Sequence, residues 1–341
     1  MEHAWNQLAL PAGTPFLTHE WVRSWWGAFG AHGAIAGLLY DGEGRLIAGA
    51  ALSRSSRRRL DAAANDYSDD WDVIAVDEEA RRQLWEGIAL LPAAELTFPG
   101  MPGDGQSAAI AAEAMRAGGC RVAVIQQPLS PYVALADSWD QFLEGRGRNK
   151  RSRVRRRMKK LEGEGNPEFK TWADPDQDAA LDRFLQIEAS GWKGEAGTAI
   201  LDDPRALRLY TEFAHAAAKQ GWLRIHLLEL DGAAIAGDFG CILGDAEFLV
   251  KTGFDERYAH VSPGAVVRAE ALREAMAEGL TRYEFLGGPD RYKLQWGGDL
   301  RERLLIRGYR GSALPTFLYR HKLRPLAGRL LGRGRPAAEE G

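Results

Sequence analysis

Residues 221–264 read GWLRIHLLELDGAAIAGDFGCILGDAEFLVKTGFDERYAHVSPG. Three apolar runs, Trp222 to Leu230, Ala233 to Leu243 and Glu247 to Gly253, are separated by Asp231-Gly232 and Gly244-Asp245. Both pairs suit two-residue hairpin turns, so the stretch predicts a three-strand meander. The loop after it ends in Tyr258-Ala-His-Val-Ser-Pro-Gly264. Pro263 suits a first helical turn and Gly264 lets a ligand approach the backbone, so unpaired N–H groups there can receive an anion. A phosphate-bearing cofactor is the first expectation. An amphipathic helix from Gly264 to Glu278, a strand from Arg282 to Leu286, a glycine-rich turn and a strand from Arg303 to Tyr309 follow. A basic amphipathic helix near Pro315 to Leu330 comes last.

Upstream, Thr18 can cap a helix whose apolar face is Trp21, Val22, Trp25, Trp26 and Phe29. Ile35 to Tyr40 and Arg45 to Leu52 then read as a hairpin around Asp41-Gly-Glu-Gly44. Next come an acidic loop (Asp66, Asp69, Asp70, Asp72), a helix opening at Asp77, a strand from Glu95 to Phe98, a helix from Ala108 to Arg116 and a strand from Arg121 to Gln126. Such alternation predicts an α/β layer. Ser138 to Leu161 reads as a long helix that Gly145 and Gly147 can break in two, and Phe169 to Trp172 as a strand. Helices are expected near Asp178 to Ser190 and Pro204 to Lys219. The hairpin at Leu38-Leu-Tyr-Asp-Gly42 with Ile47-Ala-Gly49 faintly repeats Leu227-Leu-Glu229, Asp231-Gly232 and Ile235-Ala-Gly237, which favours two related domains. Domains are expected at residues 1–136 and 166–330, joined by a basic connecting helix at 137–165 and trailed by a disordered tail at 331–341.

Composition sets bounds. With 341 residues, 45% of them hydrophobic, the chain can bury a substantial core. Two cysteines, Cys120 and Cys241, sit in apolar runs and suit a reducing compartment rather than a disulfide framework. No apolar run approaches the roughly 20 residues that span a bilayer, and no leader pattern opens the chain, so a cytoplasmic location is expected. His215, His226 and His260 lack metal-ligand spacing, and no metal is expected.

Several polar residues stand where chemistry is possible. Counting outward from a Gly244-Asp245 turn puts Asp238 opposite Lys251, both in the middle of apolar strands, where they either pair structurally or face a cleft. After the strand ending at Leu286, the chain offers Asp290, Tyr292, Lys293 and Trp296 within seven residues of one another. Strand ends carry functional loops, so these can orient a substrate. Glu188 lies one helical turn before Trp192-Lys193, either as a surface carboxylate beside a packed indole or as part of the same cleft. Arg146 to Lys160 holds ten cations and no acid. That run can meet RNA, anionic lipid or cofactor phosphates, or simply be solvated, but it has no aromatic stacking platform.

Glu247-Phe-Leu-Val-Lys-Thr-Gly-Phe-Asp255, Tyr258, Ser262-Pro-Gly264, Tyr283-Glu-Phe-Leu-Gly-Gly288, Tyr292-Lys293 and Trp296 together resemble a GNAT-superfamily acyltransferase of the kind associated with cellulose and exopolysaccharide biosynthesis. Pro15-Phe-Leu-Thr-His-Glu-Trp21, Asp66-Tyr67, Ser138-Trp-Asp140 and the Arg-rich helix extend the resemblance over nearly the whole chain. It implies two tandem GNAT-like domains of mixed α/β fold, distantly Fem-like, the second binding acyl-CoA, with acetyl-CoA expected. Val250, Lys251 and Thr252 would line the pantetheine arm, and His260, Ser262 and Gly264 would meet the pyrophosphate. The loop departs from the family's Gln/Arg-x-x-Gly-x-Gly/Ala pattern in having one glycine.

The implied chemistry is attack of an acceptor amine or hydroxyl on a thioester, with a carboxylate taking the proton. Asp238 is the first candidate base, Glu188 and Asp290 the others, and Tyr292 a general acid toward the leaving thiolate. Trp192, Lys193, Lys293 and Trp296 would hold the acceptor, such as a glycan sugar. One rival is a Fem-type transferase using aminoacyl-tRNA, the one reading that requires nucleic acid. Another is a scaffold without catalysis that meets a glycan-assembly partner or a membrane surface through Pro315 to Leu330.

Overall fold

The computed structural model describes residues 1–30, 33–173, 178–191 and 197–323. The chain forms two compact units, each discontinuous in sequence: Met1–Ala31 with Pro128–Glu302, and His32–Gln127 with Arg303–Gly341. The linear division at residues 136 and 165 therefore describes chain order rather than compact bodies.

The second unit is a mixed sheet of β1 (Ala34–Tyr40), β2 (Leu46–Ser56), β3 (Arg59–Ala62), β4 (Ile74–Ala75), β5 (Glu95–Pro102), β6 (Arg121–Gln126) and, from the chain end, β14 (Arg303–Tyr309). Its order is β1-β2-β3-β5-β14-β6, with β4 on β2. Helices Glu78–Leu90 and Ser107–Ala117 cover it. Asp77 caps the first of these by accepting the Ala80 N–H at 2.8 Å. Trp71, Trp85 and Phe98 pack ring against ring in the core beneath.

The first unit holds β7 (Ser130–Ala134), β8 (Pro167–Trp172), β9 (Leu223–Leu230), β10 (Ala233–Leu243), β11 (Ala246–Phe254), β12 (Arg282–Glu284) and β13 (Asp299–Arg301), ordered β13-β7-β12-β11-β10-β9-β8. The meander is as the sequence dictates. Asp231 and Gly232 both have positive φ, 50° and 82°, which matches the right-handed strand twist. One sheet face carries the helix Pro263–Ala277, whose Val266 and Val267 join Leu228 and Ile235 in a core. On the other face Phe184 and Tyr210, from helices Asp178–Ser190 and Pro204–Lys219, pack on Phe239. Each such ring, removed from water, contributes about 1.5–3 kcal/mol.

The expected facing of Asp238 and Lys251 is not observed. Val250 is an extra residue in β11, so Gly240 pairs with Leu249, Phe239 with Lys251 and Asp238 with Thr252. A Cβ on Gly240 would collide with the Phe248 carbonyl oxygen, so the glycine admits the bulge. Because side chains alternate, the shift sends Lys251 to the aromatic face, its Nζ 5.8 Å from the Tyr210 ring centre, and leaves Asp238 on the other. The basic segment breaks at Gly147, φ 82°, into helices Trp139–Glu144 and Arg148–Glu162. Leu161 is buried, and Val154 and Met158 pack on the core.

Candidate active site

Strands β11 and β12 run parallel for three residue pairs, Ala246–Phe248 against Arg282–Glu284. Beyond Phe248, β11 continues to Phe254 with no strand on that side among the described residues, so the two part into a wedge. The divergence is set just after β12. Leu286 and Gly287 take φ of 56° and 61°, which turns the chain away. Lys293, 6% exposed, fixes that turn by donating to the Leu286 and Gly288 carbonyls at 2.9 and 3.1 Å and pairing with Asp290 at 2.9 Å.

A cavity of about 680 Å³ lies at the wedge. Thr252, Gly253 and Phe254 supply its strand wall, and Ser262, Pro263, Gly264 and Ala265 its helix wall. Ser262 sits in the left-handed region at φ 57°, and its side chain does not cap the helix. Pro263 has no N–H, and the Gly264 N–H has no acceptor among the described residues. A fifteen-residue helix thus presents an uncapped positive end to the cavity. Asp290, Tyr292, Gln295 and the buried Trp296 close the third side.

Glu188 enters from the helix Asp178–Ser190. Its carboxylate is 2% exposed and accepts the Ile200 N–H at 2.9 Å. The strand end approaches this helix closely, since a Cβ on Gly253 would lie 2.7 Å from the Glu188 Cα. That contact sets the carboxyl beside the wedge.

Seven of the residues expected from the sequence meet at this cavity: Glu188, Thr252, Ser262, Gly264, Asp290, Tyr292 and Trp296. Asp238 does not line it. It is buried against Arg268, Oδ1 to Nη2 2.7 Å, and Arg268 also donates to the Tyr283 hydroxyl at 2.8 Å. Val250 is the bulge residue, and neither it nor Lys251 lines the cavity. His260 is exposed and pairs with Glu164 at 3.0 Å. Lys293 holds the turn instead of facing the cavity. Trp192 and Lys193 lie outside the described residues.

Two lining arginines escaped the sequence reading. Arg268 stands in the apolar run Ala265 to Leu272, the signal that drew attention to Asp238, and is 2% exposed. Arg157 was one of ten cations, and only the fold singles it out.

Lys150, from the same basic helix, is buried behind the indole wall. Its Nζ lies 3.6 Å from the Trp296 ring centre and donates to the Gln295 carbonyl at 2.7 Å. Burial, reinforced by Arg157, Arg153 and Arg146, pushes its ammonium down to about 7. Since the folded value lies below the unfolded one, the unfolded chain holds more protons between about pH 7 and 10.5, and stability rises with pH there. Urea melts of wild type and Lys150→Met should therefore diverge in favour of wild type between pH 7 and 10, by on the order of 2–4 kcal/mol. A pH-independent difference would show that Lys150 is not desolvated.

These features define the class: a mixed α/β protein built on two mixed sheets, with a ligand-sized cleft between splayed parallel strands of the first unit. Residues 148–294 match the model of the acetyltransferase (GNAT) domain family, a span that takes in the basic helix, β8 to β12 and the uncapped helix. Among solved structures, FemX superposes with a TM-score of 0.61 at 12% identity, covering 94% of this chain and 98% of that one. A conserved protein of unknown function from Bacteroides thetaiotaomicron gives 0.59 at 10% identity, over 91% and 96% of the two chains. The C-terminal domain of a candidate lysylphosphatidylglycerol synthetase from Agrobacterium fabrum gives 0.57 at 12% identity, over 94% and 99%. At such identities the likeness concerns the fold. No curated protein matches the chain in sequence. No described helix is long and apolar enough to cross a membrane.

Proposed function

We propose that the chain is an acyltransferase that moves an acyl group, acetyl in the simplest case, from acyl-CoA to an amine or hydroxyl acceptor. The observation that carries this reading is the wedge between β11 and β12 ending at the uncapped Ser262–Ala265 turn. An extended thioester donor can pair with the free edge of β11, and its phosphates can meet the positive helix end.

In the reaction the acceptor's nitrogen or oxygen bonds to the thioester carbon, and the C–S bond breaks. A buried carboxylate beside the wedge receives the acceptor's proton, and Tyr292 returns one to the leaving thiolate. Glu188 fits the base role because it lines the cavity and is held by the Ile200 N–H. Asp290 lines it too but is tied to Lys293. Asp238 acts through Arg268, as a positioning residue. Trp296 and Tyr292 offer aromatic faces to the acceptor. A sugar of an exopolysaccharide or cell-envelope glycan is the acceptor suggested by the sequence resemblance, in a cytoplasmic setting.

Donor binding is tested by thermal stability of the purified chain with acetyl-CoA, longer acyl-CoAs and free CoA. At a ligand concentration of 100 Kd the native state should gain about 2.7 kcal/mol. Gly264→Val, which sends a branched side chain from the helix start, should abolish the gain, and Ser262→Val should weaken it. Absence of a shift with every thioester would remove acyl-CoA as the donor.

A second reading, an aminoacyl-tRNA-dependent transferase, draws support from the fold likeness to FemX and from the exposed Arg153, Arg155, Arg156, Lys159 and Lys160, which form no ion pair among the described residues. It requires activity that ribonuclease destroys. A binding scaffold without catalysis would show neither.

A further inference from the structure

The basic helix does more than cover the sheet. Val154, Met158 and Leu161 turn one side of it to the core, while Arg153 and Arg156 face solvent. Arg157 falls between these two sides and lines the wedge cavity. Its Nη1 is shut off from solvent and has no hydrogen-bond partner, and the side chain forms no ion pair among the described residues. Burial, with Arg153 and Arg156 nearby, pulls its guanidinium below the usual range, with no acid opposing them. A guanidinium carries five donors, and leaving a buried one unused costs free energy unless a ligand meets it. The uncapped helix start at Gly264 lines the same cavity.

We propose that Arg157 grips a phosphoryl group of the ligand inside the cavity, which makes the basic helix a wall of the binding site and not a connector. The inference rests on the reading of this cavity as the ligand site. A phosphoryl group can come from the donor, as in the CoA moiety, or from a phosphorylated acceptor. Arg157 serves either by charge-assisted hydrogen bonds in a desolvated place, which a solvated lysine or arginine on the outer face would not match.

Titration calorimetry of the full chain with CoA, pantetheine and inorganic pyrophosphate tests it, using wild type, Arg157→Gln, Arg157→Lys and Arg153→Gln. Arg157→Gln should bind CoA and pyrophosphate about tenfold to a hundredfold more weakly, the loss of one hydrogen bond to a charged group. Pantetheine binding should be unchanged, Arg157→Lys should recover part of the loss, and Arg153→Gln should match wild type. Because the guanidinium makes no hydrogen bond or ion pair among the described residues, Arg157→Gln should melt no lower than wild type.

If wild type binds pyrophosphate through Arg157 but not CoA, the acyl-CoA donor is wrong and the phosphoryl grip stands, with a phosphorylated acceptor as its source. Three results overturn the proposal: equal binding by Arg157→Gln, an equal loss in Arg153→Gln, or no binding of either phosphorylated probe by wild type.

Discussion

Glu188→Gln should lower kcat by about 10²–10⁴-fold, the usual contribution of a positioned general base, while donor affinity stays near the wild-type value. The substitution is close to isosteric, and the amide oxygen can still accept the Ile200 N–H that holds the side chain. What it removes is the capacity to take the acceptor's proton. The measurement is steady-state kinetics alongside donor titration. Glu188→Gln and Asp290→Asn compared side by side decide between the two carboxylates that line the cavity. Wild-type turnover in a folded Glu188→Gln protein would take Glu188 out of the chemistry and leave Asp290 as the base.

Arg268→Met should destabilise the fold by about 3–5 kcal/mol, a large share of a domain's net stability. Asp238 is 1% exposed, and among the described residues Arg268 is its only ion-pair partner. Methionine fills most of the volume but strands a carboxylate in a desolvated place and leaves the Tyr283 hydroxyl without its donor. The deficit should shrink on acidification. Burial already holds the folded pKa of Asp238 above its ordinary value with Arg268 beside it, and losing Arg268 raises it further; a group so shifted supports the fold below the unfolded pKa and loses that support as pH rises through the folded one. Chemical denaturation at pH 5 and pH 8 measures both effects. The double change Asp238→Leu with Arg268→Met, which removes both charges, should recover much of the loss. A deficit as large in the double variant as in Arg268→Met would mean that packing rather than charge accounts for it.

The contrast between Asp238 and Arg268 shows how far the sequence could be read. A charge within an apolar run is visible in one dimension, and Asp238 is such a charge, paired in the fold with Arg268. The expected position opposite Lys251 differs from the observed one because Val250 adds a residue to β11 and breaks the register. Nothing in the local pattern announces that bulge except Gly240, whose missing side chain matters only once the Phe248 carbonyl is beside it. The same added residue puts Lys251 on the face opposite Asp238, because side chains alternate along the strand.

The cavity was legible to a similar degree. Ser262, Gly264, Asp290, Tyr292 and Trp296 follow strand ends in sequence, where loops carry ligands. Thr252 and Glu188 join them because the β11 end packs on the helix bearing Glu188, with Gly253 permitting the approach. Arg157 could not have been separated from its nine basic neighbours, since helix rotation alone decides which cation enters the cavity.

By itself the sequence determined the local elements: the meander, its Asp231-Gly232 turn, the Thr18 and Asp77 caps, and the break at Gly147. These depend on backbone preferences and hydrogen bonds within a few residues, so short windows contain their cause. Only the tertiary structure decided that β7 joins the sheet of the meander and that β14 joins the other, which made both units discontinuous. It also decided where β11 parts from β12 and which buried charges meet. Those outcomes depend on which distant surfaces exclude water together, and hydrophobic burial, being non-directional, leaves no signature of its partner in the chain.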